Sequence, residues 1–407
     1  MMAKREPLAV WLHGIQIGTL TTNGKPYHLA LRYSAEALDA WPGNTPLLSC
    51  SLPLSSQTLN PSAYFRGLLP EGDHLSSIAG RAGISVLDLH GLLARYGRDV
   101  AGAVTVLPEG EDPAGRPGGA VAYDDASLAD EVEGLETMPL AIHDDSELSL
   151  PGLQSKLLLI RDGGGWFRPT GGRPSTHILK VEDRRFPGLV TAEAAAMRLA
   201  RHVGLTSVDV DVITVAGIDC IVVERYDRTI GGAGRVERTH QEDVCQALGH
   251  NYEANRGAAK YERGGGPGLT HVAGLLERYA TDPVAELRRL VRYVTFNTVI
   301  GNADAHGKNI SLIHHRAGTV ELAPLYDTVP TVLFPTLNDR AAMYVNGQTV
   351  LSKVTVDDVA AEAVGWSLDT TVAYADAVAT ANAMADALDD LPGNLATVVR
   401  ERASRFR

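Results

Sequence analysis

The chain centres on Gly301-Asn302-Ala303-Asp304-Ala305-His306-Gly307-Lys308-Asn309. This stretch follows a long amphipathic segment and precedes the apolar run Ile310 to Ile313, so it carries a carboxylate, an imidazole, an ammonium and an amide between an expected helix and an expected strand. Asp304 offers a base, and Asn309 offers a hard oxygen for a divalent cation. At the spacing Asp-x-x-x-x-Asn, that pair suits the transfer of a phosphoryl group to a hydroxyl. The competing reading is an ordinary Asn/Asp/Gly turn, because these residues tolerate left-handed backbone and close Asx turns. Gly301…Gly307-Lys308 is not a Walker A loop: five residues separate the glycines, and Asn follows the lysine where that loop needs Ser or Thr.

Composition sets outer limits. A chain of 407 residues has room for two or three domains, and its 44% hydrophobic and 21% charged content is ordinary for a globular protein. No run approaches the length of a membrane span, and no signal-peptide core follows Met1-Met2-Ala3-Lys4-Arg5-Glu6, so a cytoplasmic protein is expected. Cys50, Cys220 and Cys245 are far apart and lack metal-ligand spacing, which points to free thiols. The formal net charge of −12 argues against wrapping nucleic acid through the overall field. Arg400, Arg402, Arg405 and Arg407 could form a local basic patch, although a solvated helix face is the plainer reading.

In chain order, Leu8 to Leu12, Gln16 to Thr21 and Tyr27 to Tyr33 alternate as short strands, with turns at His13-Gly14 and Asn23-Gly24. Helices are expected near Leu75 to Ala82 and Leu87 to Tyr96, and a closing strand at Gly102 to Pro108. This gives an α/β module over 1–108, followed by an acidic, Gly/Pro-bearing surface connector over 109–147 with room for one short helix. Ser149 to Lys156 then feeds the apolar run Leu157 to Ile160. A loop that brings backbone amides and a lysine to a strand can cradle phosphates, and a simple strand-entry turn is the alternative. Over 148–239, Thr176 to Glu182 reads as a buried strand carrying Lys180, followed by a helix from Thr191 to His202 with Glu193 in its first turn. A buried lysine needs a partner or loses its charge.

A strand lysine followed by a helix glutamate is the order of the ion pair that orients the nucleotide in protein kinases, and a favourable charge at a helix N-terminus is the equal alternative for Glu193. The expected hairpin of Val208 to Val215 with Cys220 to Val223 leads into Glu224-Arg225-Tyr226-Asp227-Arg228, where a kinase carries its adenine-binding hinge. Over 240–407 the pattern turns helical. Asp282-Pro283 caps a helix running to about Ile300, with Leu287, Leu290, Val291 and Val294 on its buried face, and that helix delivers Asp304. Asp327 follows the loop where a kinase places its second metal ligand, but Thr-Val-Pro replaces Phe-Gly after it. Residues 370 to 390 and 393 to 406 close the chain as helices.

With these stretches in order, the chain resembles the HipA family of toxin–antitoxin serine/threonine kinases. The matching blocks are Leu68 to Gly72, Gly102-Ala103-Val104, Ser149 to Lys156, His177 to Lys180, Val223 to Arg228, Gln241-Glu242-Asp243, Lys260-Tyr261-Glu262 with Gly265 to Gly268, Gly301 to Asn309, and Pro324 to Asp327. The resemblance implies an α+β fold: a protein-kinase-like two-lobed core with an N-terminal α/β subdomain and an all-helical C-terminal lobe. It implies an ATP- and Mg2+-dependent serine/threonine protein kinase whose catalytic base is Asp304 and whose metal ligands are Asn309 and Asp327. Lys180 would hold the ATP phosphates, His306 and Lys308 would line the phosphate site, and Glu224 and Tyr226 would contact adenine. Pro151, Gly152, Leu153, Gln154, Ser155 and Lys156 would cover the phosphates, and Ser149 would be autophosphorylated, ejecting that loop and silencing the kinase. The implied partners are a HipB-like antitoxin with a helix-turn-helix, operator DNA through that antitoxin, and a protein substrate such as glutamate–tRNA ligase or another aminoacyl-tRNA synthetase, whose phosphorylation arrests growth and gives persistence. The loop departs from the family pattern, since Pro151 removes an amide donor and Ser155 replaces a carboxylate.

Two other classes fit part of the pattern. The altered loop and the missing Phe-Gly fit a weakly catalytic protein that acts mainly as an antitoxin-bound corepressor. A metal hydrolase would use Asp304, His306 and Asp327 with His314 or His315, but the helix, loop and strand order favours the kinase.

Overall fold

The computed structural model describes residues 5–22, 24–115, 118–135, 143, 145, 147, 149–151, 154–231 and 235–406. Asn23 of the expected turn, Leu148, Gly152 and Leu153 of the expected phosphate loop, and Arg407 of the expected basic patch lie outside these residues. The chain divides into two compact units: Met1–Val181 with Ile213–Glu242 and Gln246–His250, and Glu182–Val212 with Asp243–Cys245 and Asn251–Arg407. No helix among the described residues is long and apolar enough to cross a membrane.

The first unit opens with strands β1 (Leu8–Leu12), β2 (Ile15–Thr22) and β3 (Leu29–Tyr33), and β4 (Val104–Pro108) closes their antiparallel sheet in the order β3-β2-β1-β4. His13 and Gly14, at φ of 51° and 79°, form the β1–β2 turn, since two left-handed residues match the twist of a two-residue hairpin. Helices α1 (Ala35–Ala40), α2 (Ser62–Arg66), α3 (Gly72–Ala82) and α4 (Leu89–Tyr96) complete the module. Val10, Leu20, Leu31, Phe65, Leu92 and Val106 form part of its continuous apolar core.

A second sheet follows, with β5 (Gly119–Ala122), β6 (Lys156–Asp162), β7 (Gly165–Thr170), β8 (His177–Val181), β9 (Val210–Val215) and β10 (Ile218–Glu224) in the order β5-β7-β6-β8-β10-β9. The acidic connector carries the short helix expected of it and also a strand. It supplies β5, which pairs with β7, and helix α5 (Asp125–Gly134), capped by Asp124. Leu128 and Val132 of α5 cluster with Leu157, Leu159, Leu179 and Val222. Strand alternation sends Leu158 and Ile178 to the opposite face, where they join the core of the N-terminal module. Lys156 and Lys180 share that second face by the same alternation.

In the second unit, α6 (Leu189–His202) is followed by α7 (Val244–Ala247), whose Gln246 and Ala247 belong to the first unit, and then by α8 (Leu269–Tyr279) and α9 (Pro283–Ile300). The remaining helices are α10 (Val356–Val364), α11 (Thr370–Asp386) and α12 (Gly393–Ala403), and α9 packs against α8, α10, α11 and α12. Helices dominate this region as expected, but it is not entirely helical. Ser311–His314 pairs with Val320–Leu322, and Arg340–Val345 pairs with Gln348–Val350. The first of these pairs begins within the expected Ile310 to Ile313 strand.

Candidate active site

Helix α9 sets the central loop in place. Asp282 caps it by accepting from Ala285 N, Pro283 occupies its first turn, and Gly301 ends it in the left-handed conformation at φ 75°. A Cβ on Gly301 would also come within 2.3 Å of the Val332 side chain, so both backbone and space call for glycine. Beyond it, Asn302 Nδ2 donates to Asn297 Oδ1 at 2.8 Å, and Asn302 Oδ1 accepts from Asp304 N at 3.0 Å. The loop is stapled to its own helix.

Within that loop the backbone carbonyl of Asp304 accepts from His306 N at 2.8 Å and from Asn309 Nδ2 at 2.9 Å. The second bond fixes the Asn309 amide with its oxygen directed elsewhere, as a metal ligand requires. Tyr293 of α9 donates from its hydroxyl to Asn309 O at 2.8 Å. Burial raises the Tyr293 phenol pKa, and the Asp327 carboxylate raises it further. Asp327 itself is held at φ 49°, a left-handed conformation uncommon outside glycine and tolerated best by Asn and Asp. Next to it, Thr328 Oγ1 approaches Asn297 Oδ1 at 3.3 Å, tying this second loop to the end of α9.

Burial pushes the Asp304 carboxyl pKa up, and nearby Asp327 adds to that, while the Tyr261 hydrogen bond, Lys260 and Arg263 oppose it. Tyr261 Oη donates to Asp304 Oδ1 at 2.6 Å. His306 is buried, and desolvation together with Lys260 and Lys308 holds it well below its ordinary value, with Asp327 opposing them. Its Nδ1 accepts from Lys308 N at 3.3 Å, which assigns the neutral ring its proton at Nε2.

Lys308, expected to line the phosphate site, has an acidic partner. Its ammonium pairs with Asp243 at 2.9 Å and lies 4.1 Å from the centroid of the Tyr252 ring, with lysine and aspartate side chains both buried. A buried ammonium is held where its counter-charge is, so this lysine braces the loop.

The remaining expected site residues lie in the first unit. Lys156 and Lys180 are direct cross-strand partners on β6 and β8, and both are buried. Lys156 Nζ donates to Pro151 O at 2.7 Å, and Gln154 Nε2 to Val181 O at 3.4 Å. Ser155 precedes β6 and is half-buried, and Glu224 ends β10 exposed to solvent. Tyr226 Oη donates to Gln241 Oε1 at 3.0 Å. Ser149 is fully buried: its amide donates to Asp99 O at 2.8 Å and its hydroxyl to Leu68 O at 3.3 Å.

Sequence reasoning missed a charged cluster beneath Glu224 and Tyr226. Arg225 forks onto both oxygens of Asp227 at 2.9 and 2.8 Å, and Arg228 bridges Asp227 at 2.8 Å and Asp99 at 2.9 Å. Burial alone would raise both carboxyls. Arg228, Arg225 and Arg238 outweigh it at Asp99, and Arg225 and Arg228 do so at Asp227, holding both below the usual carboxylate range. Tyr261 was also missed as a partner of Asp304. Its only sequence signal was its place between Lys260 and the glycine-rich turn.

Two family models match: the HipA N-terminal domain over residues 8–107 and the HipA-like C-terminal domain over residues 148–392. The chain belongs to the HipA family. A Sinorhizobium fredii protein, Y4mE, assigned provisionally as a kinase, is 38% identical over 86% of this chain and 83% of its own length. The HipA serine/threonine-protein kinase toxin of Shewanella oneidensis is 31% identical over 85% of this chain and 80% of its own length. A solved chain from the Shewanella oneidensis MR-1 complex of HipA, HipB and operator DNA superposes with a TM-score of 0.81 at 26% identity, over 98% of this chain and 95% of that one. The HipA fold is protein-kinase-like, and this chain shares it.

Proposed function

We propose that this HipA-family chain is a Mg2+-dependent serine/threonine protein kinase toxin that moves the γ-phosphate of ATP to a protein hydroxyl. One observation carries the reading: in the second unit, Asp304, Asn309 and Asp327 are drawn together around the end of α9, with Tyr293 bonded to Asn309 and electrostatically coupled to Asp327. Asp304 takes the proton of the acceptor hydroxyl. Asn309 Oδ1 and the Asp327 carboxylate are hard oxygens of the kind magnesium selects and would hold that ion, which would supply positive charge to the phosphates. His306, neutral and buried, keeps the loop closed beside Asp304. Lys308 acts through its Asp243 pair.

In the first unit, two buried lysines set opposite each other on one face concentrate the positive charge a polyphosphate would take. Lys180 and Lys156 are assigned to the ATP phosphates under the Pro151 to Lys156 loop, and Glu224 and Tyr226 to adenine. The regions 1–108, 109–147, 148–239 and 240–407 are proposed as N-terminal subdomain, connector, nucleotide lobe and catalytic lobe.

Ser149 is proposed as the autophosphorylation site. Its hydroxyl donates to a backbone carbonyl, so a phosphate there would set anionic oxygens against Leu68 O and expel the segment. A HipB-like antitoxin, and operator DNA through it, are proposed as partners, by likeness to the Shewanella complex. An aminoacyl-tRNA synthetase such as glutamate–tRNA ligase is proposed as the substrate, with growth arrest as the consequence. The test is phosphate transfer from Mg-ATP by wild type and Asp304→Ala: the variant is expected to lose at least a hundredfold, and equal rates would contradict the reading. A second reading, a weak kinase acting chiefly as corepressor, is favoured by Pro151, which brings no N–H to the phosphate loop.

A further inference from the structure

We propose that Tyr261 is the positioning residue for Asp304, fixing one carboxylate oxygen so that the other is presented to the acceptor hydroxyl. This inference rests on the kinase reading above. At 2.6 Å, the bond from Tyr261 Oη to Asp304 Oδ1 has the length of a charge-assisted O–H···O− contact. Among the described residues, Asp304 Oδ2 accepts no hydrogen bond. One oxygen is anchored and one remains for chemistry.

The tyrosine is itself held from several sides. The His306 ring stands edge-on to it at 5.0 Å, and the Arg263 guanidinium lies 4.4 Å and the Lys260 ammonium 5.8 Å from its ring centroid. Tyr261 O accepts from Gly264 N and Gly266 N, each at 2.9 Å, and Lys260 O accepts from Gly307 N at 3.1 Å, which joins this turn to the Asp304 loop. A Cβ on Gly264 would lie 2.0 Å from Ala258 O, and one on Gly266 would lie 2.4 Å from Ala259 O and 2.8 Å from Tyr261 O. The glycine-rich turn can therefore close against the tyrosine's backbone only because it lacks side chains there. Its glycines set a phenol in place.

A neutral donor suits this task. A cation bonded directly to Asp304 would also orient it, but would weaken it as a base far more than a phenol does. A base misplaced by about 1 Å costs on the order of 100-fold in rate, so orientation alone is a sufficient reason for the contact.

The experiment measures phosphate incorporation into the chain itself from Mg-ATP in wild type, Tyr261→Phe, Asp304→Ala and the double variant. Phenylalanine keeps the ring contacts with His306 and Arg263 and removes only the hydroxyl. The rate at saturating ATP should fall about tenfold or more, half-saturating ATP should stay within about twofold, and Tyr261→Phe should cost nothing further on Asp304→Ala. If Tyr261→Phe proves unfolded, 3,5-difluorotyrosine at position 261 keeps the shape and should change the rate without moving half-saturating ATP. A wild-type rate in either Tyr261 variant, or the same loss with and without Asp304, would overturn this inference alone. Wild-type transfer by Asp304→Ala would overturn the kinase reading with it.

Discussion

Lys156 and Lys180 face each other across β6 and β8 with both side chains buried. Directly opposed like charges destabilise a sheet by about 0.2–1 kcal/mol, and burial makes each ammonium dependent on anionic company. Under the proposed function, this face of the sheet offers its positive charge to the ATP phosphates.

Replacing one of them should separate stability from binding. Lys180→Met is expected to abolish the upward shift of the thermal midpoint produced by Mg-ATP, whatever the midpoint of the ligand-free variant. Thermal unfolding with and without nucleotide reads the shift. An intact ATP-induced shift in the variant would remove Lys180 from the phosphate site.

Lys308 should behave as a brace. Lys308→Met removes the ammonium 2.9 Å from the buried Asp243 carboxylate, at an expected cost of about 3–5 kcal/mol in denaturant unfolding. Lys308→Met with Asp243→Leu should regain much of that loss. Full stability together with lost nucleotide affinity in Lys308→Met would instead restore the direct phosphate contact.

The end of α9 tolerates no side chain. Gly301→Ala must hold a left-handed residue, at about 1–2 kcal/mol, and must also displace Val332. A stability loss above about 2 kcal/mol with collapse of phosphate transfer is expected. Wild-type unfolding and activity in Gly301→Ala would show that this cap does not set the loop.

Acid should loosen the first unit through Asp99 and Asp227. Both carboxyls titrate below their ordinary value in the folded chain, so the unfolded chain binds protons first as pH falls. Their contribution is fully present above the unfolded carboxylate value of about 4 and is lost as pH drops below it towards the folded values. The unfolding midpoint of wild type is expected to fall between about pH 5 and pH 3, and Asp227→Asn should show a lower midpoint at neutral pH with a flatter acid dependence. An equally steep acid loss in Asp227→Asn would place the responsible groups elsewhere.

Much of this was readable from the chain, and the gaps have physical causes. Asp282-Pro283, the apolar stripe of α9 and Gly301 announced a helix that ends in a polar loop, because caps and periodicity are local. Lys180 stood out as a charge inside an apolar strand. Arg225, Asp227 and Arg228 did not reveal their purpose, since Asp99 and Gly102 lie far away in sequence and only the folded unit brings them together. Strand β5 was hidden in an acidic stretch because a short strand declares itself only through its neighbour, here β7. Tyr261 was visible as a residue and invisible as a partner, for its bond to Asp304 spans most of α8, α9 and their turns.

The most direct measurement is the intact mass of the purified chain before and after Mg-ATP, beside Asp327→Asn, with peptide mapping of any added phosphate. An initially unmodified wild-type chain is expected to gain one phosphate, mapping to Ser149, and Asp327→Asn to gain none. An unmodified wild-type chain that stays at its starting mass, or a variant that gains phosphate as fast as wild type, would contradict the proposed function.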